Sequence, residues 1–74
     1  MKPMKELTVS VNGDPVDLTP GSTIADVVNR LVPGGESRGI AVAVDRCVVP
    51  RSEWGSTVAE AGSRIEVVTA AAGG

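Results

Sequence analysis

The sequence has no histidine, no phenylalanine and no tyrosine, and only one cysteine, Cys47, and one tryptophan, Trp54. Without histidine there can be no catalytic triad built on a histidine base, and one cysteine cannot supply a disulfide framework or a Cys/His metal site. Nothing resembles a secretory or membrane-spanning stretch, so we expect a reduced, cytoplasmic setting. If the protein takes part in covalent chemistry, we expect the catalytic groups to come from another protein.

Positive charge is also scarce, with seven Lys and Arg against nine Asp and Glu and a net charge of −2. The basic residues are scattered, so no face can neutralise a row of phosphates, and we expect no nucleic-acid partner. The length predicts a single domain over residues 1–74, close to the lower size limit, with an aliphatic, valine-rich core. Residues 1–4 are interpreted as a ragged N-terminus, with Met4 as an alternative start.

The first half of the chain predicts a hairpin and a helix. Over residues 5–19, Leu7, Val9 and Val11 alternate with polar residues, and the Asn12-Gly13 dipeptide is a strong hairpin turn signal. Thr23 then stands three residues before Asp26, close to a capping box. The apolar residues that follow at helical spacing are Ile24, Val27, Val28 and Leu31, and Pro33-Gly34-Gly35 ends the predicted helix.

The second half predicts three strands. The run Gly39–Val44 is apolar on both faces and predicts a central strand. A short return strand, Cys47–Val49, follows the Asp45-Arg46 turn, and Arg64–Thr69 forms the last strand, with one core side and one mostly solvated side. The order β-β-α-β-β-β predicts an α+β fold of the ubiquitin-like β-grasp type: a mixed sheet of four to five strands packed on one helix.

In the strand Gly39–Val44, the large residues and the alanines fall in opposite registers. If Ile40, Val42 and Val44 pack on the helix, Ala41 and Ala43 leave the other face smooth and mildly apolar, which suits a docking partner. Ordinary packing inside the sheet is the simpler explanation of the same pattern.

Three other features invite functional roles. Cys47 lacks a second cysteine or a histidine that would lower its pKa, so we interpret it as a small buried or edge-strand residue. Trp54 is interpreted as a core anchor rather than a binding platform. Arg51 and Glu53 are either a solvated pair or a partner contact. No glycine-rich loop with a following lysine indicates a phosphate site.

The last five residues, Ala70 to Gly74, carry no charge and no large side chain. We predict that residues 70–74 form a mobile tail, which spans at most roughly 17 Å when extended. Glycine has no Cβ and adopts φ angles of either sign, so a segment that ends in two glycines can enter a narrow channel in another protein. Gly74 is therefore the candidate reactive residue, through its carboxylate, and Gly73 and Ala72 are the candidate channel-entering residues.

Taken together, these segments resemble the ubiquitin-like sulfur carriers, and most closely the ThiS family of thiamine biosynthesis. The likeness covers about residues 4–74, and Val48–Trp54 is its most distinctive internal stretch. The chain departs from the family pattern at three places, which affect turn geometry and partner fit rather than the reactive terminus. These are Asp45-Arg46 for the usual Asn-Gly, Ala61-Gly62-Ser63 for a more acidic turn, and Ala70-Ala71-Ala72 where Val and a further Gly are frequent.

The resemblance implies a carrier that is a substrate rather than an enzyme. A ubiquitin-activating-like adenylyltransferase would use ATP to adenylate the Gly74 carboxylate, and a persulfide donor, a cysteine desulfurase or similar, would supply sulfur. The resulting thiocarboxylate would be delivered to thiazole synthase. No cofactor or metal is expected on the chain itself, and no membrane partner.

Three alternatives remain at this point. A carrier of the molybdopterin type, or of another sulfur pathway, shares the same fold and terminus. A protein modifier would use Gly74 to form isopeptide bonds with lysines of its targets. A plain interaction module would have an incidental tail, and its function would survive deletion of Gly73-Gly74.

Overall fold

The structure, a computed structural model, describes residues 6–32 and 39–69. Within these ranges the elements follow the predicted order β-β-α-β-β-β. They are β1 (Leu7–Val11), β2 (Asp14–Leu18), α1 (Ile24–Leu31), β3 (Ile40–Val44), β4 (Cys47–Val49) and β5 (Arg64–Thr69), with a 3₁₀ turn at Arg51–Glu53.

The strands form one mixed sheet in the order β2-β1-β5-β3-β4. β1 is antiparallel to β2 and parallel to β5, whereas β3 is antiparallel to both β5 and β4. A mixed five-stranded sheet with one helix confirms the predicted β-grasp fold. β3 is an interior strand, as predicted, but the middle of the sheet is occupied by β5, the last strand of the sequence.

Helix α1 begins with the predicted capping box. The Thr23 hydroxyl accepts the Asp26 N–H at 3.3 Å, and the Asp26 carboxylate accepts the Thr23 N–H at 2.9 Å. These two bonds satisfy donors that the first helical turn leaves without partners. The helix ends at Leu31, and the predicted terminator, residues 33–35, lies outside the described residues.

The core lies between the helix and one face of the sheet. It consists of Val9, Val11, Leu18, Ile24, Val27, Val28, Val42, Trp54, Ala59 and Ile65. Leu31 departs from the predicted helical stripe, since it is 45% exposed. It lies in the last helical turn beside β2, which is an edge strand of the described sheet.

Trp54 anchors the segment after β4 to the core. Its side chain is buried, and its indole N–H donates to the Val49 carbonyl at 2.9 Å, while its own carbonyl accepts the Ala25 N–H at 3.1 Å. The indole therefore contributes apolar area together with a satisfied polar atom. This agrees with its interpretation as a core anchor, and it ties the 3₁₀ turn to both the sheet and the helix.

The β3–β4 turn has two non-glycine residues with positive φ, Asp45 at 50° and Arg46 at 73°. A two-residue hairpin of this kind needs positive φ at both central positions, which side chains with a Cβ resist. Asp45 gains a compensating contact, because its carboxylate accepts the Arg64 N–H at 2.9 Å and its own N–H donates to the Arg64 carbonyl at 2.8 Å. For Arg46, the described side-chain hydrogen bonds include no such contact.

We therefore predict that Arg46→Gly stabilises the protein by about 0.5–1 kcal/mol, because glycine adopts positive φ without a steric cost. Urea denaturation, compared at constant m-value, measures the change. Arg46→Ala is the matched control, because it removes the charged side chain but keeps the Cβ, and it should give no gain. Equal stabilisation by both variants would show that the guanidinium charge, not the backbone, is responsible.

Candidate functional site

The sequence-predicted site residues Ala72, Gly73 and Gly74 lie outside the described residues, as do Ala70 and Ala71. What the structure describes is the strand that leads to them, β5, through Thr69. The described parts of the molecule nearest to these residues are the end of β5 and the surfaces around it.

β5 is hydrogen-bonded on both sides. On one side it pairs with β3 along the whole strand, from Val44 opposite Ile65 to Ile40 opposite Thr69. On the other side its pairing with β1 reaches only as far as Val11 opposite Ile65. Ile65 is fully buried beneath the helix, so the strand that carries the terminal residues is also part of the core.

Beyond the end of β1, a side chain continues the pairing. The Asn12 amide accepts the Val67 N–H at 2.8 Å and donates to the Val67 carbonyl at 3.1 Å. Its backbone N–H also donates to the Ile65 carbonyl at 2.9 Å. The sequence indicated Asn12 only as a turn residue, and no local signal reveals that its side chain reaches a strand 55 positions away.

The sheet face that points away from the helix is divided into two parts. On the β1 and β2 side it is polar, with Thr8 donating to the Asp17 carboxylate at 2.7 Å. On the β3 and β4 side it is mainly apolar. We call this second part the outer apolar patch, and it consists of Ala41, Ala43, Val48 and Val68. The exposed Glu66 borders the patch on the same face, where it pairs with Ala43.

The outer apolar patch lies beside the base of the terminal segment. Ala41 pairs directly with Val68, and Val68 immediately precedes Thr69. Val68 is 61% exposed and Val48 is 75% exposed, which is unusual for valines in strands. The alanines lie on the face that the sequence pattern assigned to them. The contribution of the two valines was missed, although an apolar residue on an otherwise solvated strand face is a visible signal.

Cys47 is exposed on the edge strand β4, which agrees with the edge-strand interpretation. It pairs with Val44, which in turn pairs with Ile65 at the start of β5. Thr69 is four positions after Ile65 in the strand, which corresponds to roughly 13 Å. Cys47 and the base of the terminal segment therefore lie at opposite ends of the sheet.

Arg51 and Glu53 are both exposed in the 3₁₀ turn. The turn is tied to the start of the helix, because the Glu53 carbonyl accepts the Thr57 hydroxyl and the Trp54 carbonyl accepts the Ala25 N–H. The choice between a solvated pair and a partner contact therefore stays open for these two residues.

Within residues 6–32 and 39–69, no three His, Cys, Asp or Glu side chains are grouped closely enough to hold a metal ion. In the same residues, no helix has the length and hydrophobicity needed to cross a membrane.

Comparison with known proteins decides the family. The sequence model of the ThiS family matches residues 9–74, which is most of the chain and includes Gly73-Gly74. The chain belongs to the ThiS family. ThiS-family proteins are small sulfur carriers rather than catalysts. No curated protein matches the chain in sequence.

The fold of this ThiS-family chain is also similar to a solved structure, the thiamine biosynthesis protein ThiS from Geobacter metallireducens. The two share 20% sequence identity with a TM-score of 0.70, and the alignment covers 92% of this chain and 100% of the other. At this identity the likeness supports the fold alone, and it does so over nearly the whole length.

Proposed function

We propose that this ThiS-family chain is the sulfur carrier for thiazole formation in thiamine biosynthesis, and that the Gly74 carboxylate carries the sulfur. The observation that supports this most directly is the family match, which extends through the terminal Gly73-Gly74. The structure adds that the strand leading to these residues, β5, is the central strand of the sheet.

The proposed cycle has three chemical steps before delivery. An activating enzyme joins the Gly74 carboxylate to AMP from ATP and releases pyrophosphate, which converts a poor acyl donor into a mixed anhydride. The terminal sulfur of the persulfide then attacks the acyl carbon and AMP leaves, which gives an acyl disulfide. A second thiol attacks the donor-side sulfur of this S–S bond and forms a disulfide with it, so that the Gly74 thiocarboxylate is released. The thiocarboxylate goes to thiazole synthase. ATP is bound by the partner, and this chain contributes the acyl group.

The terminal segment must enter two different active sites in turn. Small, uncharged residues allow this, because a narrow channel then has no bulky or charged side chain to accommodate and no side-chain charge has to leave water. Fully extended, residues 70–74 reach at most roughly 17 Å beyond Thr69. The globular domain therefore docks close to each active-site entrance, and we propose a cytoplasmic location with the partners.

We further propose that the outer apolar patch is the surface on which the activating enzyme docks. Val68 and Ala41 lie directly beside the base of the terminal segment, so an enzyme that binds the segment is brought against them. The exposed Val48, Val68 and Ala41, with the half-buried Ala43, offer apolar area at little cost in polar desolvation.

The proposed function is tested by intact-protein mass spectrometry. Incubation of the full chain with the activating enzyme, ATP, a persulfide donor and a thiol reductant should add the mass of one oxygen-to-sulfur exchange, located at Gly74 by fragmentation. A chain lacking Gly73-Gly74 is the control and should remain unmodified. If the mass of the intact chain does not change, or if isopeptide adducts form instead of a thiocarboxylate, the proposal is contradicted.

A strain that lacks this protein distinguishes the two sulfur pathways. Growth of that strain should be rescued by added thiazole if the carrier serves thiamine biosynthesis, whereas a molybdopterin-type carrier would be needed for molybdoenzyme activity.

Gly73→Val should leave the domain folded and abolish most thiocarboxylate formation. The branched side chain restricts the backbone conformation, and it makes the chain wider at the position that must pass through the channel. The yield of thiocarboxylate at fixed enzyme measures the effect, and circular dichroism checks the fold. Thr69→Val is the matched control, because it places the same side chain in β5, at the base of the segment. Normal yield from Gly73→Val would refute the channel argument.

Val68→Lys should weaken binding to the activating enzyme by about tenfold or more, because a charge would have to be buried in an apolar contact. Val58→Lys is the matched control: Val58 is 52% exposed, comparable with 61% for Val68, but it pairs with Thr23 at the start of the helix. Titration calorimetry with the enzyme measures both. Equal losses in the two variants would exclude the outer apolar patch as the docking surface.

A further inference from the structure

The Asn12 side chain makes a pair of hydrogen bonds that a strand residue would normally make with its backbone. Its Oδ1 accepts the Val67 N–H at 2.8 Å, and its Nδ2 donates to the Val67 carbonyl at 3.1 Å. β1 has already ended at Val11, and the chain turns away through positive φ at Asn12 (52°) and Gly13 (89°). The amide therefore takes the place of the next residue of β1.

This contact matters because of where it lies on β5. In a strand, backbone polar groups point alternately to the two neighbours. Arg64 is bonded to Asp45 on the β3 side, so Ile65, Val67 and Thr69 point to the β1 side. Among the described residues, the Asn12 amide is the last group that holds β5 on the β1 side, two residues before Thr69.

Without the Asn12 contact, the stretch Glu66–Thr69 would be held from the β3 side only. A strand end held on one side can twist and splay, and this changes the direction of the strand at Thr69, where the terminal segment begins. Asn12 and Thr69 are both near the end of the sheet from which the terminal segment leaves, because β1 and β5 run parallel.

We propose that Asn12 is a positioning residue that sets the direction in which the terminal segment leaves the domain. This inference rests on the proposed carrier function of Gly74. Asparagine suits the position on two counts. Its planar amide supplies one donor and one acceptor side by side, and it tolerates positive φ better than most residues. Aspartate would keep the acceptor but place a carboxylate oxygen against the Val67 carbonyl, and glycine would keep only the backbone freedom.

The test compares Asn12→Gly, which preserves the turn and removes the amide, with Asn12→Asp and the intact protein. Thr57→Ala is the control, because it also removes one exposed side-chain hydrogen bond, from Thr57 Oγ1 to the Glu53 carbonyl, in a loop beside the start of the helix. Two quantities are measured on each full chain: amide hydrogen exchange at Val67 by NMR, and kcat/KM for adenylation by the activating enzyme.

In Asn12→Gly we expect exchange at Val67 to accelerate by about fivefold relative to Ile65, the loss of one typical hydrogen bond. We also expect kcat/KM for adenylation to fall by a similar factor of about five, because the terminal segment is less preorganised. Asn12→Asp should be intermediate in both. Thr57→Ala should change neither the Val67-to-Ile65 exchange ratio nor kcat/KM.

Unchanged amide exchange at Val67 in Asn12→Gly would show that the Asn12 side chain does not hold Val67. Faster exchange with unchanged kcat/KM would overturn the positioning role. Failure of the unaltered chain to be adenylated would instead overturn the proposed function, and it is recognised separately because the exchange measurement needs no partner.

Discussion

The structure depends on the two-sided pairing of β5 in the middle of the sheet. β5 is parallel to β1 and antiparallel to β3, so it joins the N-terminal hairpin to the C-terminal one. Its residue Ile65 is fully buried in the core. The segment that follows Thr69 is therefore attached to the central strand of the sheet. For a carrier this arrangement ties the start of the terminal segment to the core of the domain.

The core holds together without aromatic stacking, disulfides or metal sites among the described residues. Part of the reason is the segment 50–59, which is fastened to the helix by backbone hydrogen bonds. Ile24 donates to the Thr57 carbonyl at 2.9 Å, and Ala59 donates to the Ser22 carbonyl at 2.8 Å. Trp54 fills the space beneath this segment. A small domain gains from such bonds because they satisfy polar groups while closing one side of the core.

The two faces of the sheet have different tasks. The inner face packs against the helix and provides stability, whereas the outer face combines a polar half and an apolar half beside the terminal segment. Successive side chains of a strand point to opposite faces of the sheet, so each strand supplies residues to the inner face and to the outer face. Under the proposed docking of the activating enzyme, substitutions on the outer face change partner recognition with little effect on the core. This is how members of one fold can serve different partners.

The sequence alone determined which segments form the strands and the helix, and that residues 70–74 have small, uncharged side chains or none. The Asn12-Gly13 turn, the Thr23–Asp26 capping box and the alternation in β5 are local signals, readable because their physical causes lie within a few residues. Tertiary structure alone decided which strands are neighbours. It placed β5 in the centre, brought the Asn12 amide to Val67, and left Leu31 exposed beside an edge strand. Each of these depends on pairing between residues far apart in the chain, and strand periodicity carries no information about the partner.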